Sequence, residues 1–326
     1  MGRNNAATLV TVIGGTGFLG RQIVRRLAKD GYRIRVTSTK PLRAYDMRPL
    51  GDVGQIALVK ADIRNEAEIA AAIAGAGIVI NTVGILRPSG GRTFEEMHAD
   101  GAGTIARLAA KASVERLIHV SAIGADPNAR SYYARSKVEG EVLVREAFPA
   151  ATIVRPSIVF GPGDGFFNMF AGLLRMAKLA FPLFGGGKTK FQPVFVGDVA
   201  DAVANALADA RTSGRTFELG GPAVYTLKDL LVFIAETTGR KRAFWPFPFF
   251  LLDTFASLFG WLPFSPVTLD QARLLRKDNV VKAGPDAASV GTIADLGVQP
   301  TSVEAVVPSY LYAYRPTGQY AEPRRA

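Results

Sequence analysis

The chain has 326 residues, 48% of them hydrophobic and none of them cysteine, a composition that is globular and excludes disulfides and cysteine-ligated iron–sulfur centres. Its two histidines, His98 and His119, are too few for a typical zinc site, so any redox role needs a borrowed cofactor. A net charge of +11 gives solubility or calls for an anionic neighbour, acidic lipid or an acidic protein; the basic residues are scattered and no zinc-finger, RRM or basic-zipper pattern is present, which argues against nucleic acid.

Met-Gly-Arg-Asn-Asn-Ala leads into the first strand with neither an apolar h-region nor an Arg/Ser-rich transit segment, so the expectation is a chain that stays where it is made. Leu9–Ile13 is the first predicted strand. It breaks into Gly14-Gly15-Thr16-Gly17-Phe18-Leu19-Gly20, followed by the amphipathic run Leu19, Ile23, Val24, Leu27. Such glycines let a strand turn sharply, let a pyrophosphate approach bare backbone and let the next helix pack closely, while the helix N-terminus offers free N–H groups to the anion. Gly14, Thr16, Gly17, Phe18, Leu19 and Gly20 are therefore candidate dinucleotide contacts; an ordinary tight strand–helix turn is the alternative.

The second strand, Ile34–Ser38, lacks the terminal Asp or Glu that would bind the ribose hydroxyls of NAD. Thr39, Lys40 and Arg43 instead offer a hydroxyl and two cations to a 2′-phosphate, which favours NADPH over NAD unless the cations are simply solvated loop charges. Strands Ala57–Lys60 and Ile78–Val83 follow. Asp62, next to Ile63, is placed to accept from an adenine amino group, and Val83-Gly84 ends a strand beside the expected cofactor. Beyond strand Arg116–Ser121, Tyr133 and Lys137 stand one helical turn apart, so that the ammonium is expected to lower the phenol pKa and hold the nicotinamide ribose. Chance spacing on a helix is the plain alternative.

Short strands alternating with Ala-rich helices as far as Thr152–Val154 predict an α/β fold, a Rossmann-type doubly wound parallel sheet with ligands at the carboxyl ends of its strands. Residues 1–160 are assigned to this dinucleotide-binding core. Residues 161–326, richer in Phe, Pro and Gly, are expected to complete the core and form a smaller substrate-side or docking lobe and a tail, with a strand at Phe217–Leu219 and a helix at Thr226–Thr238 capped by Thr226.

Two aromatic runs stand out there: Phe166–Phe184, with Arg175 and Lys178, and Phe244–Phe264, with Asp253 as its one charge. Pro246 and Pro248 break the start of the second, and an Asp at mid-bilayer costs about 2.5–3.5 kcal/mol on insertion scales. As a helix from about Phe249, Asp253, Ser257 and Gly260 form a narrow polar stripe, with Phe250, Leu251, Leu252, Phe255, Leu258, Phe259 and Leu262 on the wide apolar side. That pattern suits a helix in a membrane interface or docked into a partner, with Trp245 and Trp261 at headgroup depth; both runs alternatively cover an internal substrate pocket. The Pro- and Tyr-rich tail, Pro308–Ala326, reads as a loosely packed terminus or as a segment extended over a partner.

In this order, GGTGFLG, Asp62-Ile63, Val120-Ser121, Tyr133-x3-Lys137 and Arg155-Pro-Ser-Ile-Val-Phe-Gly-Pro162 resemble the short-chain dehydrogenase/reductase superfamily in its extended and atypical branches. The resemblance implies Tyr133 as acid/base with Lys137 as its helper, an Arg155–Pro162 loop near the nicotinamide with Pro156, Ser157 and Ile158 as contacts, Ser121 among the cofactor contacts, and Gln192–Ala200 at the edge of a substrate pocket. On the residues alone, Arg155-Pro156 is also just a strand end and Gln192–Ala200 a turn opening a helix. One departure matters. Active members end the fifth strand in a Ser or Thr pair or triplet; Val120-Ser121-Ala122-Ile123-Gly124 puts Ala122 or Ile123 at the catalytic hydroxyl's place, and loss of one preorganised donor costs several kcal/mol of barrier. Turnover is thereby put in doubt more than binding.

Phe217-Glu-Leu-Gly-Gly-Pro222, Ser265–Val281, Leu296-Gly-Val298 and Pro308-Ser-Tyr-Leu311 are similar to the family of NAD(P)H-binding accessory subunits of respiratory complex I and their bacterial homologues. This resemblance implies tightly held, structural NADPH and a role in assembly or stability where the peripheral arm meets the membrane arm. It also implies other complex I subunits as partners, with membrane lipid touched through Phe244–Phe264 and Phe166–Phe184. The place expected is the cytoplasmic face of a bacterial inner membrane or, second, the matrix side of the mitochondrial one. The alternatives are an NADP-dependent reductase or epimerase acting on a nucleotide sugar or a hydrophobic carbonyl compound and, third, an NADP(H)-binding redox sensor.

Overall fold

The computed structural model describes residues 5–177, 179–260, 268–282 and 289–316. The chain divides into two compact units: Met1–Pro156 with Val196–Leu219 and Lys282–Gln299, and Ser157–Phe195 with Gly220–Val281 and Pro300–Ala326.

The first unit is built on strands β1 (Leu9–Ile13), β2 (Arg33–Ser38), β3 (Ile56–Lys60), β4 (Ile78–Asn81), β5 (Arg116–Val120) and β6 (Thr152–Pro156), joined by Thr216–Leu219 and Val290–Thr292. They form one eight-stranded sheet, all parallel, in the order Val290–Thr292, Thr216–Leu219, β6, β5, β4, β1, β2, β3. This is the expected Rossmann-type α/β fold. Val10 of β1 pairs with Ile34 on one side and Ile78 on the other and is fully buried, as is Val12, which is why β1 reads as an unbroken apolar run. The strand order reverses between β1 and β4, and in such sheets ligands bind beyond the carboxyl ends at that reversal.

Local signals fix the helices. Helix α1 (Phe18–Lys29) buries Ile23, Val24 and Leu27. Helix α2 (Glu66–Ile73) is capped by Asn65, which accepts from the Glu68 N–H, with Glu66 and Glu68 in its positive first turn. Helix α3 spans Gly101–Lys111, and α4 (Tyr132–Ala147) is capped by the Ser131 hydroxyl. Strands β4 and β5 stop before the expected Val83 and Ser121. The chain turns out of the ladder where the Val83 N–H donates back to Asn81 Oδ1 at 3.0 Å. Val290–Thr292 was too short and glycine-broken to read as a strand; a Cβ on Gly291 would lie 2.4 Å from the Phe217 ring.

The second unit has its own core, with Phe160, Phe167, Phe170, Phe191, Leu230, Leu231 and Leu311 at its centre. The helix expected at Thr226–Thr238 runs Leu227–Thr237, with Thr226 and Asp229 forming a capping box. The run Phe166–Phe184 splits into a helix, Phe167–Met176, and a strand, Ala180–Phe184; Phe167, Phe170, Leu174, Phe181 and Leu183 are buried within the unit, whereas Met169, Met176 and Leu179 are exposed. That strand pairs in parallel with Ala243–Phe247.

After Pro248, helix Phe249–Phe259 divides its apolar residues. Leu252 and Ala256 join the core, whereas Phe250, Leu251, Phe255 and Leu258 are exposed, as is Trp245. Asp253 is ion-paired to Arg276, whose guanidinium lies 5.1 Å over the Phe249 ring. Among the described residues no helix is long and apolar enough to cross a membrane. Lys178, Trp261, Leu262 and Phe264 lie outside the described residues.

The tail also corrects its expectation as far as residue 316. Leu311 is fully buried, the Tyr310 hydroxyl donates to Asp164 Oδ2 at 2.5 Å, and the Tyr314 hydroxyl donates to Asn168 Oδ1 at 3.1 Å. Tyrosine supplies apolar area and one polar handle, and here both are used inside the unit, so this stretch is not loosely packed. Residues 317–326 lie outside the described residues.

Candidate dinucleotide site

The glycine turn between β1 and α1 is shaped by backbone proximity. Gly14 has φ +80°, a conformation that disfavours a side chain, and its N–H donates to Thr37 Oγ1 on β2 at 3.3 Å. A Cβ on Gly20 would sit 2.6 Å from both the Gly14 carbonyl oxygen and Gly15 Cα, so α1 reaches the turn only because position 20 is bare. Gly17 differs. It is exposed, and a Cβ there would approach only the Gly14 oxygen, at 3.3 Å. As N-cap of α1, Gly17 makes no side-chain cap bond, so the first-turn N–H groups at Phe18 and Leu19, beside the half-buried Thr16, are left facing an open surface. These features fit a pyrophosphate.

The end of β2 carries the exposed Thr39, Lys40 and Arg43 in a turn where the Lys40 N–H donates to Ser38 Oγ and the Arg43 N–H to the Lys40 carbonyl. At the end of β3, Asp62 is held by Arg64, whose Nε and Nη2 donate to its two oxygens at 3.0 and 2.7 Å; this pairing pulls the carboxyl down to about 2. Beside it lies a cavity of about 230 Å³ lined by Ile63, Arg64, Glu66, Glu96, Asp100, Gly101 and Thr104, room enough for an adenine ring. Asp62 is thus a carboxylate already shared with Arg64, a partner that the Asp-x-Arg spacing made findable.

After β4 the chain passes over α4. A Cβ on Gly14 would lie 3.0 Å from Val83 Cγ2, and a Cβ on Gly84 would lie 3.3 Å from Lys137 Nζ, so Val83 and Gly84 link the glycine turn to the lysine. Lys137 is buried, donates to the Val120 carbonyl at 3.3 Å, and is pushed down to about 8 by desolvation, with Glu141 one turn on opposing the shift. Tyr133 does not show the lowered phenol pKa expected of it. Burial pushes it up to about 12, and Lys137 Nζ stands 6.0 Å from its ring centre. The Ser121 hydroxyl at the end of β5 is buried and has no hydrogen-bond partner among the described residues, an orphaned polar atom of the kind a ligand satisfies. Ile123, which follows the methyl side chain of Ala122, is itself buried.

Three expected contacts part company at the end of β6. Pro156 closes that strand in the first unit, whereas Ser157 and Ile158 belong to the second. There the Ser157 hydroxyl donates to Asn279 Oδ1 at 2.6 Å and the Ile158 N–H to the same oxygen at 3.0 Å. Gln192 is occupied as well, donating to the Gly221 carbonyl and accepting from the Val281 N–H. Sequence reasoning missed the use of His98, which accepts from the Ile85 N–H, and of the half-buried Arg155 paired to the buried Glu141 with Glu218 beside it.

The chain is 37% identical over 311 residues to NADH dehydrogenase (ubiquinone) 1 alpha subcomplex subunit 9, mitochondrial, of Mus musculus, a match that covers 93% of this chain and 80% of the relative. It is 32% identical over 316 residues to NADH-ubiquinone oxidoreductase 40 kDa subunit, mitochondrial, of Neurospora crassa, covering 96% and 81%. A profile of the NAD dependent epimerase/dehydratase family matches residues 10–220. The chain belongs to this family. Its fold is shared by dTDP-glucose 4,6-dehydratase of Streptomyces venezuelae, solved with NAD bound, at TM-score 0.68 and 19% identity over 94% of this chain and 97% of that one. Membership of an NAD dependent epimerase/dehydratase family supports a nicotinamide cofactor for this chain.

Proposed function

We propose that the protein is an NADPH-binding accessory subunit of respiratory complex I, supporting assembly and stability rather than turning over a substrate, peripheral on the cytoplasmic face of a bacterial inner membrane. The observation that carries this reading is a contrast within one site: the pyrophosphate cradle is complete, while β5 runs into Ser121-Ala122-Ile123 without the expected catalytic hydroxyl, beside a phenol raised to about 12. The names of the two mitochondrial relatives support it.

Gly14, Gly17, Gly20 and the first-turn N–H groups of α1 hold the pyrophosphate, Thr39, Lys40 and Arg43 favour the 2′-phosphate of NADPH, Asp62 and Ile63 meet the adenine, and Ser121 and Lys137 meet the nicotinamide end. When bound, the nicotinamide supplies hydride chemistry; without a donor hydroxyl at position 122 or 123 the protein's contribution is to bind and order it. The exposed Trp245, Phe250 and Leu251, on a chain of net charge +11, support contact with acidic lipid.

Native-gel electrophoresis of gently solubilised, salt-washed membranes carrying the tagged chain tests this. Co-migration with the band stained for NADH dehydrogenase activity is expected, and a free, soluble tagged protein would refute the assignment.

A second reading, an NADP-dependent reductase or epimerase, is favoured by one observation: Tyr133 and Lys137 survive on one face of α4. It predicts turnover lost in Tyr133→Phe, whereas the first reading predicts an assembled complex and a membrane NADH oxidation rate equal to wild type.

A further inference from the structure

His98 occupies a distinctive place in the first unit. It sits on a π-helical turn, Glu95–Asp100, a form of helix that concentrates at functional positions. Both ring nitrogens are committed. Nε2 accepts from the Ile85 N–H at 2.9 Å, which leaves the proton on Nδ1, and Nδ1–H donates to Ser136 Oγ at 3.0 Å. The Ser136 hydroxyl in turn donates to the Tyr133 carbonyl at 3.0 Å. The imidazole stacks on Phe94, with centroids 5.5 Å apart, and meets the Tyr133 ring edge-on at 5.3 Å.

We propose that His98 is a positioning residue that fixes the Tyr133–Lys137 pair against the loop after β4. The proposal rests on the reading that a nicotinamide dinucleotide occupies the first unit. One end of the tether is the backbone of Ile85, directly after Gly84, where an added Cβ would meet both Lys137 Nζ, at 3.3 Å, and His98 Nε2, at 3.8 Å. The other end is Ser136, between Tyr133 and Lys137 on α4. The π-helical segment is also pressed against α4, since a Cβ on Gly140 would lie 2.0 Å from the His98 carbonyl oxygen. A side chain that only filled space there would not need a donor and an acceptor in opposite directions.

The role requires a neutral ring, because protonation of Nε2 would remove the acceptor for Ile85. The surroundings supply neutrality: desolvation, Lys137 and His119 together hold His98 down to about 2. His119 is itself neutral and accepts from Asn81 Nδ2 at 3.1 Å. Tyr133 meets His98 from α4, while Glu141 of the same helix acts on Lys137 and is itself clamped by Arg155 of β6.

The test is titration of the full-length chain with NADPH, followed through the nucleotide's own fluorescence, in wild type, His98→Phe and His98→Gln. Phenylalanine keeps the stack on Phe94 and loses both hydrogen bonds; glutamine restores one acceptor and one donor. His98→Phe is expected to weaken binding about tenfold and to shift the emission of the bound nicotinamide, with His98→Gln recovering most of both. Equal affinity and emission in His98→Phe and wild type, or a His98→Gln no better than His98→Phe, would overturn the proposal while leaving the dinucleotide reading intact. If wild type itself binds neither NADPH nor NADH, that reading falls and the proposal falls with it. If His98→Phe does not fold, Ser136→Ala cuts the far end of the tether and is read by the same criterion, about threefold weaker binding being expected and unchanged binding and emission refuting it.

Discussion

The glycine turn and the α4 corner are two ends of one candidate site, made of different materials. At the turn, the limiting distances are from backbone to backbone: position 20 is bare because the Gly14 oxygen and Gly15 Cα lie 2.6 Å from where a Cβ would be, and position 17 is bare without such crowding. At the corner, side chains are set by burial, which raises Tyr133 to about 12, lowers Lys137 to about 8 and keeps two histidines neutral. A backbone cradle works whatever the surroundings, whereas an acid–base pair depends on them, so a chain that lost turnover would keep the first and let the second drift.

The largest effect comes from testing the turn against itself. Gly20→Val drives two methyl groups into backbone that cannot move aside, and overpacking of this kind costs typically about 1–3 kcal/mol or more; thermal melting several degrees lower, with loss of NADPH binding, is expected. Gly17→Ala has room, since Gly17 has φ −72° and its one close neighbour is at 3.3 Å. Its melting temperature should match wild type while NADPH affinity falls about tenfold, because the methyl stands where the anion would approach. A Gly17→Ala protein with full affinity would remove the pyrophosphate from this turn.

Next in size is the corner. Lys137 falls from an ordinary 10.5 to about 8, so the unfolded chain holds this proton more tightly than the folded one. Burying the charge therefore costs stability in full below about pH 8, on the order of 3 kcal/mol, and the cost fades as pH rises from 8 towards 10.5. Lys137→Met should make the nucleotide-free protein more stable than wild type at pH 7, partly offset by the Val120 carbonyl losing its donor. The advantage should shrink in melts repeated up to about pH 10. The same variant should bind NADPH more weakly, and wild-type binding should weaken above about pH 8 as the ammonium is lost. Greater stability with weaker binding marks a residue kept for the ligand; loss of both would make Lys137 purely structural.

Smaller again is the choice of cofactor. Lys40 and Arg43 are exposed, so their attraction for a 2′-phosphate is screened by solvent and salt. The double change Lys40→Ala with Arg43→Ala is expected to reduce NADPH affinity about tenfold at low salt and leave NADH affinity unchanged within about twofold. A parallel loss for both nucleotides would show that the end of β2 does not distinguish them.

The parallel sheet and glycine turn were legible because both follow from local rules: β-branched runs buried on both faces, and glycines at positions where a side chain has no room. Asp62, Tyr133 and Lys137 were found by type and spacing; Arg64, two residues on, makes the state of Asp62 readable too, whereas the desolvation of Tyr133 arises only when distant segments meet. His98 gave no periodic signal in Glu-Glu-Met-His-Ala-Asp and became readable only with Ile85 and Ser136 on either side of it. In the second unit, apolarity alone did not separate the buried Phe167 and Phe170 from the exposed Phe250 and Leu258. Nor did it reveal that Tyr310 and Tyr314 have partners some 146 positions earlier in Asp164 and Asn168.

That last ambiguity supplies the smallest effect, on a helix whose two faces serve as controls for one another. Phe250 is 66% exposed and Leu252 2% exposed, two residues apart in Phe249–Phe259. Asp at 252 places a carboxylate in the core and should lower the melting temperature by several degrees, because an unpaired buried charge has no compensation. Asp at 250 enters solvent and should leave melting unchanged. Its effect should appear only with vesicles containing acidic phospholipid, where losing one interfacial phenyl and adding repulsion reduces binding about three- to fivefold, an effect that weakens at high salt. If Phe250→Asp binds such vesicles as wild type does, while its tagged form no longer co-migrates with NADH dehydrogenase activity, the exposed face docks on protein, and the +11 charge then serves an acidic partner subunit rather than lipid.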